Sequence, residues 1–252
     1  MLTRLKRIRQ VILYYLSWIV FGLVGLLLNL ACMLLMLLPG RERFGPAVRA
    51  TIRRLFDAWI AWLHATNVVI VEWSGFEGET LQTGTVYIAN HPTIVDATLV
   101  LARLPDAVCI FKPALMRNPA VGPAAVMAGY VRGDSGIDLL KAAAVSVANG
   151  QSLLVFPEGT RAAEGLVLGK MKPGFALIAD RAKAPVRLLV IRTSSTLGRR
   201  GRPWWPAPLV IPATIRISLD RTFPYEPGRS AAELTLCVET RICEVLAGAP
   251  LG

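Results

Sequence analysis

A histidine and an aspartate in one short stretch are the first residues of this chain whose types and spacing could do chemistry. The stretch runs Gly84-Thr-Val-Tyr-Ile-Ala-Asn-His-Pro-Thr-Ile-Val-Asp96, so four residues separate His91 from Asp96. A carboxylate bonded to one imidazole nitrogen fixes the tautomer and leaves the other nitrogen as a base. The pair could therefore take a proton from a hydroxyl group.

The elements around the pair decide whether the two side chains can meet. Residues 85–89 are mostly apolar, β-branched or aromatic and predict a buried strand, and Pro92 is typical of the first turn of a helix. Five residues along an ideal helix rotate by about 500°, which would separate the two side chains. If His91 precedes the helix and Asp96 lies in its first turn, the carboxylate can meet the imidazole. Alternatively, His91 only caps the helix and Asp96 only complements its dipole.

A second block favours the catalytic interpretation. Phe156-Pro-Glu-Gly-Thr-Arg161 follows another apolar strand. Together the two blocks resemble those of the glycerolipid acyltransferase family, the lysophosphatidic acid acyltransferases and their relatives, over about residues 50–220. The resemblance implies that His91 is the catalytic base and Asp96 its orienting partner. It also implies that the second block binds the acceptor.

Two arginines are the candidates for holding an acceptor phosphate, since a planar guanidinium matches phosphate bidentately. One ends the second block, and the other ends Gly129-Tyr-Val-Arg132, a shortened version of another family block. A glycine in the second block allows close approach of the main chain. The predicted acceptor-binding residues are Arg132, Glu158, Gly159, Thr160 and Arg161.

The composition limits the class of protein. The chain has 252 residues, 54% of them hydrophobic, with a formal net charge of +11. A basic and apolar chain indicates an anionic membrane surface as partner, and no nucleic-acid motif is present. The four cysteines are scattered, which favours free thiols in a reducing compartment. With only His64 and His91, no metal site is expected, and no cofactor beyond acyl-CoA or acyl carrier protein as co-substrate.

The amino-terminal part predicts a membrane anchor. Residues 11–38 carry no charged side chain and are long enough to cross a bilayer once. Basic residues flank both ends, so both flanks favour the cytoplasmic side. A hairpin bent near Gly22 to Gly25 satisfies this better than a single span, and both stay open. We predict an anchor with a basic amino terminus at residues 1–45 and an α/β acyltransferase domain at residues 46–252.

The rest of the chain alternates strands with helices. This pattern, with the family resemblance, predicts an α/β fold: a mixed central sheet flanked by helices, the site at strand ends, and an N-terminal hydrophobic anchoring helix or helix hairpin. Leu188 stands where the family usually has a second proline, which bears on the shape of the pocket. The loop at 192–212 combines arginines with Trp204 and Trp205. It is either an interfacial contact or a solvated loop.

The predicted function is that of a membrane-associated acyltransferase. It would move a fatty acyl chain from acyl-CoA or acyl carrier protein to a hydroxyl of a lysophospholipid. The first candidate for the acceptor is lysophosphatidic acid, and the product would then be phosphatidic acid. The predicted place is the cytoplasmic face of a membrane, such as the bacterial inner membrane. Two alternatives stay open: a different lyso-lipid acceptor, such as an amino-acid lipid or a pigment lipid, and a non-catalytic lipid-binding protein on the same scaffold.

Overall fold

The computed structural model of the chain describes residues 2–77, 79–133, 136–162, 168–193, 206–208 and 210–248. Of the loop predicted at 192–212, Arg199, Arg200, Arg202, Trp204 and Trp205 lie outside these ranges. The α-helices are α1 Leu2–Leu35, α2 Gly45–Ala65, α3 Asp96–Arg103, α4 Pro113–Met116, α5 Gly122–Met127, α6 Gly136–Ala148, α7 Gly174–Ala182 and α8 Ala231–Ala247, with a 3₁₀ helix at Arg41–Phe44. The strands are β1 Val69–Ser74, β2 Val86–Ala89, β3 Ala107–Phe111, β4 Val131–Arg132, β5 Ser152–Val155, β6 Val186–Thr193 and β7 Ala213–Phe223.

The strands of the described residues form one sheet in the order β1-β7-β6-β2-β5-β3-β4. The neighbours from β6 to β4 are all parallel, β1 is parallel to β7, and β7 is antiparallel to β6. Five adjacent strands therefore end at the same edge, which we call the carboxyl edge. The predicted mixed α/β sheet is confirmed, and such an edge is where open α/β sheets bind ligands.

The central strand β2 shows how the sheet is covered on both faces. Its successive side chains alternate, so Tyr87 and Ala89 join the core with α2 and α3, while Val86 and Ile88 join the core with α6, α7 and α8. All four side chains are fully buried. Burial on both faces explains why this strand is a continuous apolar run rather than an alternating one.

The long helix α1 lies along the domain with one face and exposes apolar side chains on the other. The indole Nε1 of Trp59 in α2 donates to Ser17 O at 3.1 Å, and Asn29 Oδ1 accepts the main-chain N–H of Ala124 in α5 at 2.9 Å. Nearer the amino terminus, Arg7 Nη2 donates to the main-chain oxygen of Pro208 at 2.6 Å. The exposed side chains include Leu5, Ile8, Ile12, Ile19, Leu23, Leu27, Leu30 and Leu34.

The predicted hairpin bend near Gly22 to Gly25 is wrong, because α1 runs through both glycines as one helix of 34 residues. A glycine inside a helix costs only about 1 kcal/mol relative to alanine. Contacts on either side, at Ser17 and Asn29, hold the helix against the domain and outweigh that preference. By length and composition alone, residues 4–35 could cross a membrane.

Leu188, where the family usually has a proline, is a core residue. Its side chain is fully buried on the face covered by α6, α7 and α8. The pairing of β6 with β7 is irregular between Arg187 and Leu189. Such an irregularity is a position where a proline can replace an ordinary residue without breaking a regular ladder. The departure from the family therefore leaves the strand itself intact.

Candidate active site

The site begins where β2 leaves the sheet at the carboxyl edge. Asn90 follows directly, and its buried amide makes two hydrogen bonds with the main chain of Ile191 in β6. Its Nδ2 donates to Ile191 O at 2.8 Å, and its Oδ1 accepts the N–H of Ile191 at 2.7 Å. Asn90 thus fixes the direction in which the chain departs, and His91 is the first residue beyond this point.

His91 and Asp96 are in contact, as the fold-back interpretation predicts. His91 lies in the loop, Asp96 is the first residue of α3, and His91 Nδ1 is 2.8 Å from Asp96 Oδ2. Thr93 supplies two further contacts to the same carboxylate. Its main-chain N–H donates to Oδ2 at 2.6 Å, and its hydroxyl donates to Oδ1. The loop between strand and helix is therefore closed around the aspartate.

Burial separates the roles of the two side chains. The Asp96 side chain has no exposed surface, whereas 19% of the His91 side chain is exposed. Burial raises the pKa of the Asp96 carboxyl, and the hydrogen bonds with His91 and Thr93 oppose this shift. Both carboxylate oxygens already accept from Thr93, which favours the ionised form. The Nδ1 of His91 then carries the proton that it donates to Asp96, and Nε2 is the basic nitrogen.

The second sequence block packs directly against the first. The ring of Phe156, after β5, stacks on the imidazole of His91 with centroids 4.2 Å apart and planes at 22°. Glu158 Oε1 accepts the main-chain N–H of His91 at 2.9 Å, and His91 O accepts the main-chain N–H of Ala162 at 3.0 Å. The main-chain N–H of His91 is therefore bonded to the second block, and its main-chain oxygen is bonded to the residue directly after that block.

The structure distributes the five predicted acceptor-binding residues unevenly. Glu158 is buried and bonded to main-chain groups, since its Oε2 also accepts the N–H of Gly169 at 2.7 Å. Gly159 is exposed with φ of 68°, a left-handed conformation that favours glycine. Thr160 and Arg161 are half-buried in the same turn, next to the segment bonded to His91.

Arg132 lies further along the same edge. It is exposed at the end of β4, opposite Phe111 of β3. Three strand spacings separate β4 from β2, which corresponds to about 14 Å between main chains. Arg132 therefore belongs to the outer part of the carboxyl edge, while Arg161 belongs to the part that surrounds His91.

Two residues of the site were not singled out from the sequence. They are Asn90 and Thr93, which lie in the stretch from Gly84 to Asp96. Polar side chains in a strand-to-helix loop could have indicated a role for them. Their contacts, to a strand a hundred residues away and to the aspartate, required the fold. No group of three or more histidine, cysteine, aspartate or glutamate side chains suited to a metal ion occurs within the described ranges.

The fold and the site together define an α/β protein with a histidine–aspartate pair at the carboxyl edge of its sheet. Residues 74–192 match the family model described as Acyltransferase. The match covers 119 of the 252 residues and agrees with the resemblance found in the sequence. A solved structure, the 1-acyl-sn-glycerophosphate (LPA) acyltransferase PlsC from Thermotoga maritima, superposes with a TM-score of 0.75 at 21% identity over 98% of this chain and 99% of that one, and shares its fold.

Curated relatives have a higher sequence identity, but the match covers a smaller part of this chain and of the relatives. The 1-acyl-sn-glycerol-3-phosphate acyltransferase of Cocos nucifera is 31% identical over 153 residues, 58% of this chain and 48% of the relative. The chloroplastic 1-acyl-sn-glycerol-3-phosphate acyltransferase BAT2 of Brassica napus is 33% identical over 144 residues, 53% of this chain and 42% of the relative. The chain thus spans less than half the length of these two relatives.

Proposed function

We propose that this chain is an O-acyltransferase that moves a fatty acyl group from a thioester to a hydroxyl of a lysophospholipid, with lysophosphatidic acid as the acceptor and phosphatidic acid as the product. The contact of His91 Nδ1 with the buried Asp96 at 2.8 Å is the observation that carries the proposal. It leaves Nε2 of a partly exposed imidazole at the carboxyl edge. The names of the relatives support the choice of acceptor.

The reaction needs one base and no covalent intermediate on the protein. His91 Nε2 takes the proton of the acceptor hydroxyl as its oxygen attacks the thioester carbonyl carbon. The new C–O bond forms, the C–S bond breaks, and the thiolate leaves with the proton that the imidazolium returns. Asp96 stabilises the imidazolium in between. Positioned general base catalysis of this kind contributes about 10²–10⁴-fold to the rate.

The acceptor phosphate would be held by the turn at Gly159 to Arg161. Arg161 directly precedes Ala162, and the main-chain N–H of Ala162 donates to His91 O. A phosphate held at this turn would therefore lie close to His91. Arg132, in the outer part of the edge, would contact the acceptor headgroup or the donor. The donor is acyl-CoA or acyl carrier protein, a co-substrate, and the chemistry assigned to His91 needs no metal or cofactor.

We further propose that residues 1–45 anchor the domain at residues 46–252 by lying in the plane of the membrane surface. A helix of 34 residues is about 51 Å long, well beyond the ~30 Å of a bilayer core. Its contacts with the domain at Arg7 and Asn29 support a helix laid along the domain. The exposed apolar face would then enter one leaflet, on the cytoplasmic side and in a bacterium at the inner membrane.

The activity is tested with purified protein, lysophosphatidic acid and palmitoyl-CoA, by following release of the free thiol together with formation of phosphatidic acid. We expect acceptor-dependent thiol release, lost in His91→Ala while the thermal unfolding temperature is kept. Product formation by purified His91→Ala at the wild-type rate would exclude this mechanism. Lipid binding without thiol release by the wild-type protein would favour the non-catalytic alternative.

The membrane arrangement is tested by labelling in intact cells. In a variant whose four native cysteines are serines, Thr3→Cys and Glu42→Cys are each treated with a membrane-impermeant thiol reagent. We expect both to be protected until the cells are opened. Labelling of Thr3→Cys alone in intact cells would mean a single span with the amino terminus outside, and the in-plane arrangement would be wrong.

A further inference from the structure

The segment before α7 folds back over the turn of the second block. The main-chain N–H of Gly169 donates to Glu158 Oε2 at 2.7 Å, and the main-chain N–H of Lys172 donates to the oxygen of Pro157 at 3.0 Å. These two bonds fix the position of Lys172 relative to the turn that contains Arg161. Because the main chain of Lys172 is held by a hydrogen bond, the position of its Cα atom relative to this turn is defined.

The ammonium of Lys172 lies on the open side of Gly159. A Cβ atom built on Gly159 would be 3.3 Å from Lys172 Nζ and 3.8 Å from Cε. The ammonium therefore lies next to the space that a side chain at position 159 would fill. Because Gly159 has none, an anion lying against the main chain of this turn can contact the ammonium directly.

The charge around Lys172 is unbalanced. Within the part of the chain that the structure describes, no carboxylate lies within ion-pair distance of Lys172. The side chain is exposed, and Arg161 is two residues beyond Gly159. Lys172 and Arg161 thus bring two cationic residues to one turn, and the residue after Arg161 is bonded to the main chain of His91. Such a turn matches an anionic ligand.

We propose that Lys172 is a second cation of the acceptor site and makes the site selective for phosphomonoesters over phosphodiesters. The inference rests on the proposed function for the identity of the acceptor. A phosphomonoester carries a charge of about −1.5 to −2 at pH 7, whereas a phosphodiester carries a single negative charge. The guanidinium of Arg161 balances the single charge of a phosphodiester. The ammonium of Lys172 raises the affinity for the acceptor only where the phosphate carries a second negative charge.

Acceptor kinetics test the inference with two substrates that differ by one charge: lysophosphatidic acid and its methyl phosphodiester. We expect Lys172→Met to raise KM and lower kcat/KM for lysophosphatidic acid by about 10- to 100-fold, the size expected of one hydrogen bond to a charged group. The change for the methyl phosphodiester is expected to stay within about threefold, a difference that a purely structural role would not produce. Lys172→Arg is expected to restore most of the preference, since it keeps the charge.

Lys170→Met is the matched control, because Lys170 is an exposed lysine of the same segment, two residues earlier. It is expected to keep the wild-type preference. An equal loss of kcat/KM with both acceptors would overturn the assigned selectivity. Wild-type kinetics of Lys172→Met with lysophosphatidic acid would overturn the contact with the phosphate.

A binding measurement separates this inference from the proposed activity. sn-Glycerol 3-phosphate is titrated calorimetrically into the wild-type protein and into Lys172→Met. If the wild-type protein binds sn-glycerol 3-phosphate and Lys172→Met binds it at least tenfold more weakly, Lys172 is part of an anion-binding site. This conclusion holds even if no acyl transfer is found. If the two bind it equally, the assignment of Lys172 fails, whether or not the protein is an acyltransferase.

Discussion

Glu158 Oε1 accepts the main-chain N–H of His91 at 2.9 Å, so a residue 67 positions further along the chain holds the main chain of the proposed base. Both oxygens of this carboxylate are directed at main-chain donors, the second at Gly169. This arrangement gives Glu158 a positioning role beside the acceptor-binding role predicted for its block. The role can be separated experimentally from binding, because it acts on the base rather than on the affinity for the acceptor.

Glu158→Gln tests this positioning role. The amide has the same size, but one end must place its NH₂ group against an N–H of His91 or Gly169. We expect a loss of about 1–3 kcal/mol in the free energy of unfolding and a lower kcat, with little change in acceptor KM. Denaturant unfolding and steady-state kinetics measure both effects. Glu77→Gln, at an exposed position, is the control. A rise in acceptor KM alone would assign Glu158 to binding instead.

The carboxylate of Asp96 is the next point to test. Asp96→Asn removes the charge that stabilises the imidazolium, and we expect kcat to fall by about 10²–10⁴-fold. Thr93→Val removes the hydroxyl that donates to Asp96 Oδ1, and the expected fall in kcat is roughly 10- to 100-fold. Thr93→Ser keeps the hydroxyl and should stay close to wild type. Equal kcat values for Thr93→Val and Thr93→Ser would show that this hydroxyl does not act on the base.

Gly159 and Gly228 form a matched pair of glycines with positive φ, 68° and 86°. Alanine at either position adopts a left-handed conformation, so each variant should lose about 1–2 kcal/mol in the free energy of unfolding. A Cβ at Gly228 meets no atom within 4 Å, whereas one at Gly159 presses on Lys172 Nζ. We therefore expect a raised acceptor KM in Gly159→Ala only. Equal KM values in the two variants would contradict the placement of the lysine.

The cysteines outside α1 should differ sharply in reactivity. Burial raises the pKa of the Cys109 thiol in β3 to about 12, so it stays protonated at pH 8. Cys237 and Cys243 in α8 are exposed. We expect iodoacetamide to alkylate both α8 cysteines in the folded protein and to leave Cys109 unmodified until denaturant is added. Peptide mass spectrometry identifies the sites, and early alkylation of Cys109 would mean that β3 opens in the native state.

The local elements could be predicted from the sequence because their signals are local. The apolar run at 85–89 predicts a strand and contains β2, and Asp96 is in the first turn of α3, as the fold-back interpretation requires. The contact of His91 with Asp96 could be predicted for the same reason, since only four residues separate the two. The two-residue strand β4 was missed because it is too short to show a period.

The links between distant segments could not be predicted from the sequence. The strand β5 pairs between β2 and β3 although it follows both in the chain, and only this order brings Glu158 beneath His91. The continuation of α1 through Gly22 and Gly25 likewise agrees with its contacts with α2 and α5 rather than with the preference of its own glycines. Local propensity is a weak preference that tertiary packing overrides at such places.

The packing of α1 would link the proposed lipid binding to the stability of the whole domain. The helix carries the exposed apolar face, and it also contributes Tyr14 to the core that contains Trp59 and Leu99. A bilayer or micelle that binds this face more tightly in the native state than in the unfolded chain would shift the folding equilibrium by mass action. At a lipid concentration one hundred times the dissociation constant, such a ligand adds about 2.7 kcal/mol to the free energy of unfolding. The melting temperature of this protein should accordingly rise with vesicle concentration, so that the membrane acts as a folding ligand.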